Sequence, residues 1–183
     1  GDVAPLRIRV LRSNLPDAVR AQLFEDLRAC TSEKFNQWVR RALELPLGRV
    51  HTPAYAHESP ETAVRMARAQ MDAVVTGHQD VKLEVLKLVC QVASGARGAG
   101  GYSLGIEGPP GTGKTHFVQN ALAPVLDRPL VRIQLGGAAD VSYLLGQMYT
   151  YEGSKEGRLA AGLVEAGCCN PIVYFDEVDK ISE

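Results

Sequence analysis

The run Gly108-Pro109-Pro110-Gly111-Thr112-Gly113-Lys114-Thr115 constrains this 183-residue chain more than any other stretch. Its glycines let the backbone curl so that successive N–H groups point at one anion. The spacing is G-x-x-x-x-G-K-[ST], a phosphate-cradling loop that requires a strand before it and a helix after it. Ser103 to Glu107 reads as that strand. Phe117, Val118, Ala121, Leu122 and Val125 follow at helical spacing. The first turn of that helix adds unpaired N–H groups and a partial positive charge, which suit phosphate. On this reading Gly108, Pro109, Pro110, Gly111, Thr112 and Gly113 wrap a nucleoside triphosphate. Lys114 reaches its β- and γ-phosphates, the Thr115 hydroxyl ligates Mg²⁺, and His116 stands at the start of the helix. A glycine-rich turn that binds nothing is the alternative, and the strand–loop–helix context speaks against it.

Such a loop calls for an acidic partner at the end of another strand. Ile172-Val173-Tyr174-Phe175 is a continuous apolar run, expected to be a strand buried on both faces, and it ends in Asp176-Glu177. Asp176 is expected to hold Mg²⁺. Glu177, one residue further, is placed to polarise a water for attack on the γ-phosphate. That favours hydrolysis over transfer to a small molecule. A small-molecule P-loop kinase is the rival reading, and Asp176-Glu177 argue against it.

Composition removes other classes. The net charge is −1, so the chain carries no electrostatic footprint for nucleic acid. No apolar run approaches the roughly 20 residues of a membrane span. Four cysteines, Cys30, Cys90, Cys168 and Cys169, show neither zinc spacing nor a redox pair. They fit a reducing compartment, cytoplasmic or an organelle matrix. His51 and His57 lack further ligands for a metal. Gly1-Asp2-Val3 has no signal-peptide character and no initiator Met, so a trimmed N-terminus is expected.

The remaining elements follow from periodicity. A helix is expected from Pro16 to about Ala29, with Val19, Leu23 and Leu27 inside. Thr31 or Ser32 caps a second, with Phe35, Trp38, Val39, Ala42 and Leu43 as its stripe and Pro46 as its stop. Residues 46–58 read as a linker. Ser59 caps a helix beginning at Pro60, with Val64, Ala67, Met71, Val74 and Val75 inside. Asp80 is expected to cap another, with Val81, Val85, Leu88, Val89 and Val92 inside. Residues 95–101 connect to the first strand, and Leu130 to Leu135 form the second. The order implies an α/β fold, a parallel sheet with helices on both faces. It divides into a helical segment, 1–58, and a core, 59–183.

The loop and the acidic strand together, GPPGTGKT and IVYFDEVDK, resemble an AAA+ ATPase. Leu135-Gly136-Gly137-Ala138-Ala139-Asp140, then Gly146, Thr150 to Ser154, Gly157-Arg158 and Asn170-Pro171 narrow the resemblance to the ATPase module of Lon-type proteases. Gly77-His78-Gln79-Asp80-Val81-Lys82 resembles that family's Gly, two variable residues, then Asp-Val-Lys at a helix start. Leu11 to Pro16 and Trp38 to Leu47 resemble its preceding helical segment.

The resemblance implies ATP hydrolysis that drives unfolding and translocation of protein substrates by a homo-hexameric ring. In the full-length protein this ring is expected to feed an ATP-dependent serine peptidase. A stand-alone AAA+ remodeller is the alternative. The resemblance places Val75, Thr76 and Gly77 on the adenine side and Tyr151 at the pore-loop aromatic. Glu152 stands where an apolar residue is usual, and Met148-Tyr149 where a basic pair often precedes the loop. These departures mark a divergent branch. In the family's sheet a fourth strand lies between the P-loop strand and the acidic strand. A chain ending at Glu183 is therefore expected to be a fragment with an incomplete sheet, weak in ATPase activity alone, or an interaction piece that does not hydrolyse.

Overall fold

The computed structural model describes residues 3–30, 32–95, 101–136, 141–147 and 156–180. They form two compact units, Gly1–Val50 with Val131–Glu183, and His51–Leu130.

The first unit begins with three helices, α1 (Val3–Leu11), α2 (Asp17–Ala29) and α3 (Glu33–Ala42). Leu6, Val10, Leu15, Leu23, Leu27, Phe35 and Val39 close over one another as its helical core. α1 is not anticipated by periodicity, although Leu6 and Val10 lie one turn apart. Its C-terminal carbonyls are covered by Arg20, whose guanidinium donates to Leu11 O at 3.2 Å and Ser13 O at 3.3 Å. That placement suits a cation at a helix C-terminus. Two expected core residues point outward: Val19 is 41% exposed and Trp38 42%. On α3 the inward line runs through Phe35, Asn36 and Val39, and Trp38 stacks on Phe35 from outside, ring centroids 6.0 Å apart.

The same unit holds β1 (Leu130–Gln134) and β2 (Ile172–Asp176), paired in a two-stranded parallel sheet, with α8 (Ser142–Leu145) and α9 (Arg158–Ala166). Val131, Ile133 and Leu135 pack against Leu144, Leu159, Ala166 and Val173. α9 approaches the sheet at Gly162, where a Cβ would come within 2.3 Å of Val131 Cγ1. The expected double burial of the acidic strand is not found. Its residues are only half covered, and Phe175 is 39% exposed. After α9, Gly167 takes a left-handed conformation that caps the helix. The Cys169 N–H then donates to Arg49 O at 2.7 Å, joining the strand's approach to the helical segment. All four cysteines are free thiols.

The second unit packs α4 (Pro60–Val74) against α5 (Gln79–Ala93), and α4 also against the helix that follows the phosphate loop. That helix runs through α6 (Lys114–Phe117), a π-helical turn (Val118–Leu122) and α7 (Ala123–Leu126). Pro124 has no N–H to return to Asn120 O, which favours the wider turn there. Ser59 caps α4 as expected, its Oγ accepting from Thr62 N at 3.2 Å with Pro60 at the first position. Val74 is 46% exposed, and Ala63 takes the inward position instead. The cap of α5 is His78, not Asp80, which lies inside the first turn. The inner face of α5 is Lys82, Val85, Leu86 and Val89. Val81, Leu88 and Val92 are only half buried, because the helix is rotated to turn Lys82 inward.

Ser103 to Glu107 is not a strand. A strand needs a hydrogen-bonded neighbour, and among the described residues none lies alongside. The period-two sidedness remains, with Leu104 and Ile106 half buried between exposed neighbours.

The linker also contributes to this core. Tyr55, in a 3₁₀ turn (Ala54–His57), is 6% exposed, and its phenol oxygen has no partner among the described residues. Burial pushes the phenol up to about 12, with Asp127 adding to the shift and Arg128 opposing it. The folded state thus holds the neutral phenol. That stability is complete below the ordinary tyrosine value of about 10 and is lost as pH rises from there toward the folded value. Tyr55→Phe removes a buried, unpaired hydroxyl. It is expected to match or exceed the parent by up to about 1 kcal/mol in denaturant unfolding at pH 8. Between pH 8 and pH 11 the variant should lose less stability than the parent. A variant clearly less stable at pH 8 would mean that the hydroxyl has a partner.

Candidate functional site

The phosphate loop belongs to the second unit and the acidic pair to the first.

In the loop, Gly111 and Gly113 adopt left-handed conformations, φ 79° and 85°, which a side chain would oppose. A Cβ at Gly111 would meet nothing within 4 Å, so it is the backbone angle and not crowding that calls for glycine there. Gly113 is the N-cap of α6, and its carbonyl accepts from Phe117 N at 2.8 Å. Phe117, 1% exposed, anchors the helix in the core. Lys114 folds back over the loop, donating to Gly108 O at 2.6 Å and Pro109 O at 2.8 Å. Thr112 Oγ1 donates to Pro109 O at 2.9 Å. The loop is thereby braced from within and carries one ammonium at its mouth. His116 is exposed and pairs with Asn120, Nδ1 to Nδ2 3.0 Å, on the outer side of the helix.

The turn between α4 and α5 lies against this loop. Thr76 and Gly77 are exposed, and Gly77 and His78 take successive left-handed conformations, φ 79° and 53°. His78 Nε2 stands 3.8 Å from where a Cβ on Gly113 would be, and its ring is 6.0 Å from that of Phe117. The contact with the phosphate loop is thus made by His78, next in sequence to the expected adenine-side residues Val75, Thr76 and Gly77.

In the first unit, Asp176 ends β2 and Glu177 follows in a left-handed conformation, φ 58°. Such a conformation is uncommon for a residue with a side chain and recurs at functional positions. Asp176 Oδ1 accepts from Tyr174 Oη and from Glu177 N, both at 3.1 Å, and Oδ2 accepts from Arg132 at 2.5 Å. Partial burial opposes its ionisation. The Arg132 and Tyr174 hydrogen bonds, the Arg132 charge and the Glu177 N–H outweigh it and hold Asp176 below the usual carboxylate range. Glu177 is also held low, first by its ion pair with Lys180 and then by Gln134, whose Nε2 donates at 3.1 Å. Both side chains are therefore carboxylates at neutral pH.

Gly136 makes room for this arrangement. A Cβ there would fall 2.2 Å from Glu177 Oε2.

Mg²⁺ takes hard oxygen ligands and usually only one or two from protein, the rest coming from phosphate and water. Asp176 supplies ligands of that kind. Among the described residues no group of three or more His, Cys, Asp or Glu side chains that could hold a metal ion occurs. Tyr151 and Glu152, like Gly137 to Asp140 and Thr31, lie outside the described residues.

Periodicity did not single out Arg132, Gln134, Tyr174 or Lys180 around the acidic pair, nor His78 and Lys82 near the loop. Arg132 and Gln134 are two apart on β1 and share a face, but only pairing with β2 sets that face beside Asp176 and Glu177.

Residues 104–183 match the family described as ATPase family associated with various cellular activities (AAA). The chain is 34% identical, over 97% of its length, to a Lon protease of Frankia alni, covering 21% of that protein. It is 34% identical, over 98% of its length, to a Lon protease of Salinispora arenicola, covering 24% of it. A shorter stretch, 40% of the chain, is 51% identical to a Lon protease of Helicobacter pylori, of which it covers 9%. The chain thus spans about a fifth to a quarter of the length of the relatives it matches end to end. Among the described residues no helix is long and apolar enough to cross a membrane.

Proposed function

We propose that the chain, which matches the AAA ATPase family over residues 104–183 and Lon proteases along nearly its whole length, is a Lon-type ATPase module that binds ATP–Mg²⁺ and couples hydrolysis to the unfolding and translocation of protein substrates. The phosphate loop carries this reading: left-handed Gly111 and Gly113 curl the backbone before α6, and the Lys114 ammonium lies on the loop at Gly108 O and Pro109 O. Gly108 to Gly113 wrap the phosphates, Lys114 neutralises them and Thr115 ligates the metal, with His116 on the first turn behind. Asp176 is a metal ligand, and Glu177 accepts a proton from the attacking water. Bound Mg²⁺ supplies charge neutralisation at the phosphates. Thr76 and Gly77 face the adenine. Residues 1–58 serve as the segment preceding the ATPase core, 59–183.

The protein-handling part rests on the similarity to Lon proteases along nearly the whole chain. It brings a homo-hexamer, Tyr151 as the residue that grips substrate, a reducing compartment and an attached serine peptidase. A stand-alone remodeller uses the same residues.

In the full-length protein, an unfolded polypeptide should accelerate ATP hydrolysis. Tyr151→Ala should keep basal hydrolysis and lose ATP-driven unfolding of a fluorescent folded substrate. Unchanged unfolding by the variant would remove Tyr151 from the grip. Unfolding without peptide-bond cleavage would select the remodeller. Phosphoryl transfer to a metabolite would overturn the reading altogether.

A further inference from the structure

Lys82 is 4% exposed, the one buried side chain among the described residues that carries a full charge. An ammonium out of water is costly unless it is paired and hydrogen-bonded. Its Nζ donates to Asp72 Oδ1 at 2.7 Å and to Val75 O at 2.5 Å. Asp72 itself is half exposed, 52%, so the pair reaches from solvent to core. The backbone of Lys82 makes a further bond, its N–H donating to His78 O at 2.9 Å.

That backbone bond is the first of the α5 ladder, from the cap residue His78; the side chain adds the tie from α5 back to Val75 O, across the turn Val75–His78. The turn needs holding. Two consecutive left-handed residues, one of them not glycine, cost backbone energy and persist only where surroundings over-determine them. Val75 is itself buried, 7% exposed, and its carbonyl is at the C-terminus of α4, where a cation is favoured. At the other end His78 touches the loop at Gly113.

We propose that Lys82 is a positioning residue for nucleobase recognition: by tying α5 to Val75 O across the Val75–His78 turn it fixes the exposed Thr76 and Gly77 beside His78, which touches the phosphate loop. The proposal rests on the ATP reading above and adds a determinant of base selectivity that touches no part of the nucleotide. A buried ammonium is seldom a better source of stability than apolar packing, which leaves its hold on the turn as the reason for a lysine here.

The test is Lys82→Met in the full-length protein, which keeps the aliphatic stem and removes the donors. Affinities for Mg–ATP, Mg–GTP and Mg–tripolyphosphate are measured by calorimetry. ATP should weaken by about 3- to 30-fold, and the preference for ATP over GTP should shrink. Tripolyphosphate, which has no base, should bind as before. Unchanged ATP affinity and selectivity would overturn the proposal. So would equal weakening of ATP and tripolyphosphate, which would assign Lys82 to the fold at large. Should the Met variant not fold, Lys82→Gln, too short to reach Val75 O, carries the same comparison. A parent protein that binds tripolyphosphate but gains nothing from the base overturns the proposal and leaves the phosphate loop standing. One that binds neither overturns the ATP reading beneath it.

Discussion

The full-length protein carrying Glu177→Gln is expected to bind ATP as the parent does and to lose turnover by about 10²- to 10⁴-fold, the usual contribution of a positioned general base. Gln has the shape of Glu, so the space left by Gly136 still accommodates it, and its amide can still meet Gln134. What disappears is the negative charge. Lys180 and Gln134 favour the carboxylate form of Glu177, so at neutral pH the parent has a negative charge there and the variant has none. The backbone at position 177, left-handed in the parent, is strained equally by either side chain. Folding stability should therefore change little. Nucleotide affinity is read by equilibrium binding, and turnover by phosphate release. Turnover within a few-fold of the parent would sink the water-activating role.

Lys114→Ala is expected to act at a different step. Lys114 makes its hydrogen bonds to Gly108 O and Pro109 O, carbonyls of the loop itself. On ATP binding those donors turn to phosphate, where a hydrogen bond to a charged group contributes about 1.5–3 kcal/mol. The dissociation constant for ATP should rise by roughly 10- to 150-fold, and hydrolysis at subsaturating ATP should fall at least in proportion. Because Lys114 is at the protein surface, the nucleotide-free variant should unfold within a few tenths of a kcal/mol of the parent. Unchanged affinity would argue against the phosphate site. The two variants separate cleanly: Glu177→Gln fails after binding and Lys114→Ala fails before it.

How much of this was legible without coordinates differs from element to element. Ser59 and Pro60 announce the start of α4 because capping is local chemistry. The strands at Leu130 and Ile172 were legible to within a residue or so, since apolar runs bounded by turn residues carry that signal. Local signals failed where the outcome depended on a neighbour. Ser103 to Glu107 has the alternation of a strand and no partner among the described residues. Trp38 and Val74 are apolar at helical spacing yet exposed, because the packing face of each helix is set by what lies opposite. His78 displaced Asp80 as cap because the turn from α4 is held through Lys82 and Val75.

The chemistry of the loop lies in its residues alone. Glycines at 108, 111 and 113, with Lys114 and Thr115 behind them, can curl around an anion whatever surrounds them, because conformational freedom and charge belong to the residues. The order of Asp176 and Glu177 at a strand end was equally plain. Which groups set the charge of that pair depends on strand pairing, since Arg132 and Gln134 are more than forty residues away from it. Tertiary packing alone turned Lys82 inward onto Val75 and brought His78 to Gly113. Hydrogen bonds and ion pairs act over a few ångströms of space, and separation along the chain does not specify that distance until strands pair and helices pack.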